Sequence, residues 1–421
     1  MDAILKQRRK TAASAWQLED QVVLIAAGNP VLIPGRGDQT YPFRAHSEYF
    51  YLTDRDQPGG VLAFDPQQGW TDFVPEVTEA EKVWTGEVDR KGTPLSNLKP
   101  WLRARLDRPL AVLGCALAKV KADPRLGKRL SQQLTHARRP KDAVELDRMR
   151  KAYAATQAGF KAARQFIRPG VSERQVQVEL EAAFFRAGGQ RTAYDTIVGG
   201  GPNAGVLHFS PTQRKLGKGE LVLIDAGAEY AGYACDVTRT YAVSGRFSSE
   251  QRDLCAVVLR AQKAAVRQCR AGKEFREIHL DAALDLTQGL IDMGLLRGSA
   301  AALVEQQVSA LFFPHGLGHL VGLGVRDASG YLPGRRRSRR PGLKNLRLNL
   351  PLQPGYVVTI EPGLYFIPAL LGDQRRRQFK HQVHWQRVDR LLALGGVRIE
   401  DNVLVTAGEP DVLTAGIPKG L

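Results

Sequence analysis

The chain has 421 residues, 43 % of them apolar and 7 % aromatic, with 60 basic against 43 acidic side chains and a formal charge of +17. That length exceeds what one hydrophobic core usually serves, so two domains are expected, with the apolar content of an ordinary globular protein. No run of 18 or more apolar residues occurs, which excludes a membrane-spanning helix.

The positive charge is densest at Arg335–Arg340 (RRRSRR) and Arg375–Arg377 (RRR). Neither run is interleaved with the aromatics of a single-strand binding platform, so no nucleic-acid partner is expected. Both read as solvated loops, with attraction of anionic substrates or partners as the functional alternative. The N-terminus MDAILKQRRKTAASAW lacks the apolar core of a secretory signal. Cys115, Cys235, Cys255 and Cys269 fit neither a zinc ligand spacing nor a disulfide framework, which points to a reducing cytoplasm.

In chain order, residues 20–140 read as an α/β unit, with strands at Val22–Ala27 and Gly60–Phe64 between Gly/Pro/Asp clusters. Only His46 and His136 fall in this part, and neither has ligand spacing. Ala137–Lys141 (ARRPK) is the expected linker, dividing the chain into domains 1–140 and 141–421. Apolar residues at three- and four-residue spacing predict a helix over Asp142–Ile167. Ser172 and Gln175 form a capping box that opens a second helix, running to about Ala187. Further helices are expected at Ser249–Arg270 and Phe275–Leu296. The stretches 220–243, 311–327, 354–366 and 395–406 read as strands, making the second domain α+β.

Five residues stand out: Asp225, Asp236, His319, Glu361 and Glu400 each interrupt a short apolar stretch, where an unpaired charge costs several kcal/mol or more. Four carboxylates and one imidazole, without cysteine, suit two divalent cations such as Mn²⁺ or Co²⁺. The economical reading is a two-metal hydrolase. A turn centred between Tyr230 and Ala231 would place Asp225 directly opposite Asp236, where like charges repel unless metal ions about 3.5–4 Å apart turn repulsion into chelation. Paired aspartates flanking a turn are, alternatively, turn-formers. His315 and His319 lie in PHGLGHLVGLGV and share one face of an extended chain. Glu361 ends the run Tyr356–Ile360 before Pro362-Gly363. Alternation in 395–401 puts Arg398 and Glu400 on one face, either as a surface ion pair of little worth or as part of the same site.

At these residues the chain resembles the pita-bread metallopeptidases, and within them the Xaa-Pro dipeptidases (prolidases). The resemblance runs from about Asp142 to Thr414 and rests on LIDAGAEYAGYACDVTRTY, HGLGHLVGLGVRD, TIEPGLYF and GGVRIEDN. More loosely, YPFRAHSEYFY and VWTG in the first domain are similar to the N-terminal domain of the creatinase/aminopeptidase P group. The implied fold is an α+β pita-bread C-terminal catalytic domain preceded by a smaller α/β N-terminal domain. The implied ligands are Asp236 and Glu400 bridging two ions, Asp225 on one ion, and His319 with Glu361 on the other. Mn²⁺ is the expected metal, with Co²⁺ or Zn²⁺ compatible. Glu361 matches the family's proton shuttle, His208 and His315 its substrate-site histidines, and Arg398 the arginine beside the bridging glutamate. A homodimer acting on a small peptide with proline at its second position is also implied.

Glu361 follows His319 by 42 positions and Glu400 follows Glu361 by 39. Both spacings resemble prolidases rather than aminopeptidase P. Arg347, in PGLKNLRLNLPLQPG, falls where prolidases place an arginine on the dipeptide's C-terminal carboxylate, a role a guanidinium fork suits. One departure is clear: Arg326 stands where the family carries a substrate-site histidine (VRD for VHD). An arginine keeps the charge and the donors but exchanges no proton near neutral pH. Aminopeptidase P activity on longer peptides, organophosphate hydrolysis as a side activity, and a non-catalytic binding module are the alternative readings.

Overall fold

A computed structural model describes residues 2–420, which divide into two compact units at Arg138. The first unit opens with a helix, Asp2–Trp16, that the sequence reading left out, and contains a five-stranded sheet. The strand order is Thr93–Pro94, Gly69–Val74, Val61–Asp65, Val22–Ala26, Leu110–Gly114, with Val22–Ala26 parallel to Leu110–Gly114 and antiparallel to Val61–Asp65. Val22–Ala26 is central and buried on both faces, which is why it is continuously apolar rather than alternating. Asp65 ends its strand in a buried double ion pair, with Arg105 Nε at 2.7 Å and Arg108 Nη1 at 3.0 Å.

The segment expected as a linker is ordered. Arg138, Arg139 and Lys141 are all buried, and within the second unit Lys141 Nζ lies 2.8 Å from Asp327 Oδ2. The basic residues of this segment are fixed by a buried carboxylate and by backbone carbonyls such as Ala328 O, to which Arg139 Nε donates.

The second unit opens with helices Ala143–Phe166 and Glu173–Arg186. Both begin with reciprocal capping boxes, Asp142 with Glu145 and Ser172 with Gln175, so their starts are set by satisfied N-terminal amides. Helices Ser249–Arg267 and Phe275–Asp292 end a few residues short of expectation. They form one large core with the strands that carry the candidate site; Leu254, Val258, Ile278, Leu286, Val358, Ile360, Val397 and Ile399 are all buried in it.

Three antiparallel groups of strands frame that site. Ile197–Gly200 and Val237–Ala242 flank Leu221–Ala226. Val357–Ile360 pairs with Asp401–Leu404, and Gly363–Tyr365 with Gly396–Arg398. The first group meets the others where Glu400 N donates to Thr238 O and Thr240 Oγ1 donates to Arg398 O.

Two expectations fail. Residues 311–327 form no strand: beyond a 3₁₀ turn at Ser309–Leu311 the backbone is irregular, making only isolated bridges such as Leu320 with Val358. The glycines explain this, because the chain presses against a strand; a Cβ on Gly318 would overlap the Thr359 carbonyl. Arg375–Arg377 lie in a short helix, Asp373–Gln378, rather than a loop. Arginine is a good helix former, Asp373 favours the first turn, and Arg376 is anchored to Asp389.

Candidate metal centre

The hairpin after Leu221–Ala226 turns at Ala231-Gly232, both with positive φ (47° and 83°), the backbone of a two-residue hairpin loop. Tyr230 therefore pairs with Tyr233, and the ladder places Thr238, not Asp236, opposite Asp225. The expected register is off by two positions because the turn sits one residue later than the sequence reading put it. A shift of two preserves the face. Asp236 still lies diagonally from Asp225, and Asp225, Asp236 and Glu400 each offer an oxygen within 4.8 Å of the other two.

Asp225, Asp236, His319 and Glu400 are at most 8 % exposed. His319 Nε2 faces Asp236 Oδ2 at 3.4 Å and Glu361 Oε1 at 4.0 Å. Its Nδ1 lies 3.1 Å from Leu320 O, which requires the proton on Nδ1 and leaves the Nε2 lone pair turned toward the carboxylates. His315 and His319 do address one cavity as expected, but through an irregular backbone rather than strand alternation.

Burial and mutual repulsion raise three of these carboxyls well above the carboxylate range. For Asp236 the neighbour responsible is Asp225, for Glu361 it is Glu400, and for Glu400 it is Asp236. Burial lowers both His315 and His319 to about 3, so neither imidazole supplies positive charge near neutral pH.

The cation in direct contact is Arg398, whose Nη2 is 2.5 Å from Asp225 Oδ2. It is buried and pairs with Asp225 rather than forming a surface pair with Glu400. Burial opposes its charge, and Tyr365, Asp225, Glu361 and Glu400 outweigh that. Four carboxylates with one guanidinium in direct contact leave the cluster itself short of positive charge. That deficit, the all-oxygen-and-imidazole donor set and the turned Nε2 lone pair fit divalent cations.

Three residues escaped the sequence reading. Tyr194 OH donates to Asp225 Oδ1 at 2.6 Å. Thr238 Oγ1 donates to Glu400 Oε2 at 2.7 Å and accepts from Arg398 Nε at 2.9 Å. Tyr365 OH accepts from Arg398 Nη1 at 2.7 Å, so it donates to His315 Nε2 at 2.9 Å, while His315 Nδ1 donates to Gly316 O at 2.8 Å. Both nitrogens of His315 are thus engaged within the protein. A tyrosine or threonine hydroxyl carries no motif of its own; TIEPGLYF and DVTRTY contained the last two without marking them.

All ten sequence-predicted site residues line one cavity of about 520 Å³. The five expected ligands and Arg398 form one wall; His208, His315, Arg326 and Arg347 complete it. Burial first and the Arg326 charge second push His208 down from its ordinary value, and the same two causes lower Arg347.

Residues 147–407 match the family model described as metallopeptidase family M24, and residues 5–93 match the aminopeptidase P N-terminal domain. The chain is 31 % identical over 440 residues to a probable Xaa-Pro aminopeptidase of Botryotinia fuckeliana, covering 97 % of this chain and 91 % of that one. It is 36 % identical over 396 residues to an Xaa-Pro dipeptidase of Xanthomonas campestris, covering 90 % and 88 %. The aminopeptidase PepP structure of Pseudomonas aeruginosa superposes with a TM-score of 0.80 at 28 % identity, covering 100 % of this chain and 96 % of that one. Joined to the carboxylate–imidazole cluster, these matches establish the chain as a member of metallopeptidase family M24, a metal-dependent exopeptidase of pita-bread fold with an aminopeptidase P-type N-terminal domain.

Proposed function

We propose that this enzyme hydrolyses the Xaa-Pro bond of dipeptides, with Asp225, Asp236, His319, Glu361 and Glu400 holding two divalent ions, Mn²⁺ first among them. The observation that supports the reading is that the carboxylate cluster and the guanidinium of Arg347 line one cavity of about 520 Å³. A guanidinium without a carboxylate partner in the cavity of a hydrolytic centre is suited to a substrate's own C-terminal carboxylate.

When bound, the metal ions supply Lewis acidity and ease the ionisation of water. Glu361 takes the proton from the attacking water and returns it to the proline nitrogen, which has no N–H of its own and leaves poorly without one. His208 has no hydrogen-bond partner among the described residues and lines the same cavity, so it offers its ring N–H to the scissile carbonyl. His315, held by Tyr365 and Gly316, positions the wall beside Glu361, its Nδ1 3.7 Å from Glu361 Oε2. Arg347 sets the register of the dipeptide.

Arg326 shares this cavity with Arg347 and Arg398 and brings a third guanidinium, where the family carries histidine. It binds substrate carboxylate or carbonyl, shifting specificity; replacement by histidine alters the Ala-Pro kcat/KM and product spectrum if so, and an unchanged profile removes Arg326 from that role. A homodimer and a cytoplasmic location, in keeping with four unpaired cysteines, belong to the same proposal. Among the described residues no helix is long and apolar enough to cross a membrane.

The test is hydrolysis of Ala-Pro and Ala-Pro-Ala by chelator-stripped protein with and without Mn²⁺. Metal-dependent cleavage of the dipeptide alone supports the proposal. Efficient cleavage of the tripeptide favours the second reading, an Xaa-Pro aminopeptidase, the activity named for the relative from Botryotinia fuckeliana.

A further inference from the structure

Beside the metal cavity, and sharing Arg326, Asn345 and Arg347 with it, lies a second cavity of about 440 Å³. Four cationic side chains line it, Arg326, Arg337, Lys344 and Arg347, and no aspartate or glutamate does. Two other arginines of the same region are neutralised, Arg335 by Glu274 at 2.6 Å and Arg340 by Glu305 at 2.9 Å. Among the described residues, none of the four lining cations has a carboxylate partner. Burial first, then Arg326 and Arg337, disfavour the Arg347 charge, and Glu361 and Asp236 across the shared cavity offset this only in part.

Four cations around a cavity that no carboxylate lines form an electrostatic trap for an anion. The trap adjoins the metal cavity at Arg326, Asn345 and Arg347, and with Arg347 reading the proline end of the substrate, as proposed above, it lies on the leaving-group side. Its volume is far larger than one carboxylate needs. It accommodates a whole residue, and two negative charges on that residue offset the four cations better than one.

The geometry points to an acidic-residue subsite: the enzyme takes tripeptides in which aspartate or glutamate follows the proline, Xaa-Pro-Asp and Xaa-Pro-Glu, in preference to other tripeptides. Both the α-carboxylate and the side-chain carboxylate of that third residue fall to Arg326, Arg337 and Lys344, while Arg347 meets the proline carbonyl. This inference rests on the reading of the metal centre as a prolyl peptidase. It extends that reading from the dipeptide to a defined class of longer substrate.

The experiment measures kcat/KM of the Mn²⁺-loaded full-length enzyme for Ala-Pro, Ala-Pro-Ala and Ala-Pro-Glu, at low salt and at about 0.5 M salt, where exposed charges are screened. The same three substrates are given to the double variant Arg337→Ala/Lys344→Ala, both of whose sites are exposed. Expected is a preference for Ala-Pro-Glu over Ala-Pro-Ala of about tenfold or more in the wild type, as charge-assisted pairs predict. That preference falls toward unity in high salt and in the double variant, with Ala-Pro unchanged within about twofold. Equal rates on the two tripeptides, no cleavage of either beside normal Ala-Pro hydrolysis, or a preference that survives both salt and the double variant overturns the subsite alone. Inactivity on all three overturns the prolyl peptidase reading, and the subsite falls with it.

Discussion

Thr238 stands directly across the ladder from Asp225, and its one hydroxyl joins Arg398 to Glu400. Replacing it with valine keeps the shape but leaves a buried carboxylate oxygen and a buried guanidinium N–H unpaired. The expected cost is about 1–3 kcal/mol of stability together with a 10- to 100-fold loss of metal affinity. Thermal melts and a Mn²⁺ titration of Thr238→Val check both. Thr238→Ser should recover affinity, and a serine variant no better than valine would show that the methyl contact, not the hydroxyl, matters.

The carboxylate cluster is repulsive without metal, so stability and metal binding should separate at Asp236. Asp236→Asn removes one of the mutually repelling groups. The metal-free variant is expected to melt roughly 2–5 °C above the metal-free wild type, by relief of self-repulsion. Added Mn²⁺ should raise the wild-type melting point, by about 2.7 kcal/mol of stabilisation at a hundredfold excess over Kd, and leave the variant nearly unmoved. Calorimetry in chelator and in Mn²⁺ distinguishes these curves. A variant that responds to Mn²⁺ like the wild type would argue that Asp236 is no ligand.

Arg347 should matter most when the proline itself carries the terminal carboxylate. Arg347→Ala is expected to lose about 2–3 kcal/mol of transition-state binding to Ala-Pro, roughly 30- to 150-fold in kcat/KM, mostly through KM. Hydrolysis of Ala-Pro amide should change little, since it offers the arginine no charge. Equal losses on acid and amide would mean that Arg347 shapes the cavity instead of reading the carboxylate.

Acid stability of the first unit turns on Asp65. Burial pushes its carboxyl up, but hydrogen bonds from Arg108, the Gln67 amide and Arg105 outweigh it and hold the group down to about 2. A folded value below the unfolded one means that the stabilisation is complete above about pH 4 and is lost as pH falls toward 2. Asp65→Asn should lower the melting point at pH 7 and flatten its dependence between pH 4 and 2. Breaking a buried pair of this kind costs about 3–5 kcal/mol at neutral pH. Melting curves across that range, read by circular dichroism, test the sign directly.

Much of the helical framework was legible because its signals are local. Asp142 with Glu145 and Ser172 with Gln175 are capping boxes whose hydrogen bonds form within one turn. Local rules failed where contact is non-local. The run 311–327 looked extended, yet its backbone is set by Gly318 lying against the strand Val357–Ile360. Lys141 read as part of a linker, yet its ammonium is paired with Asp327, 186 positions away.

The same division holds in the candidate site. Charge in apolar stretches is a property of the chain itself, because an ionised group there demands a partner wherever the chain goes. Asp225, Asp236, His319, Glu361 and Glu400 could therefore be singled out in the sequence as candidates, while the role expected of each came from the family resemblance. What partners each charge is decided by the folded geometry. The positive φ of Ala231 and Gly232 moved the hairpin register by two and put Thr238, not Asp236, opposite Asp225. Tertiary packing gave Arg398 to Asp225, tied up both nitrogens of His315, and gathered Arg326, Arg337, Lys344 and Arg347 around one cavity. Hydrogen bonds and ion pairs act over about 3 Å, and only the packed chain decides which distant residues come that close.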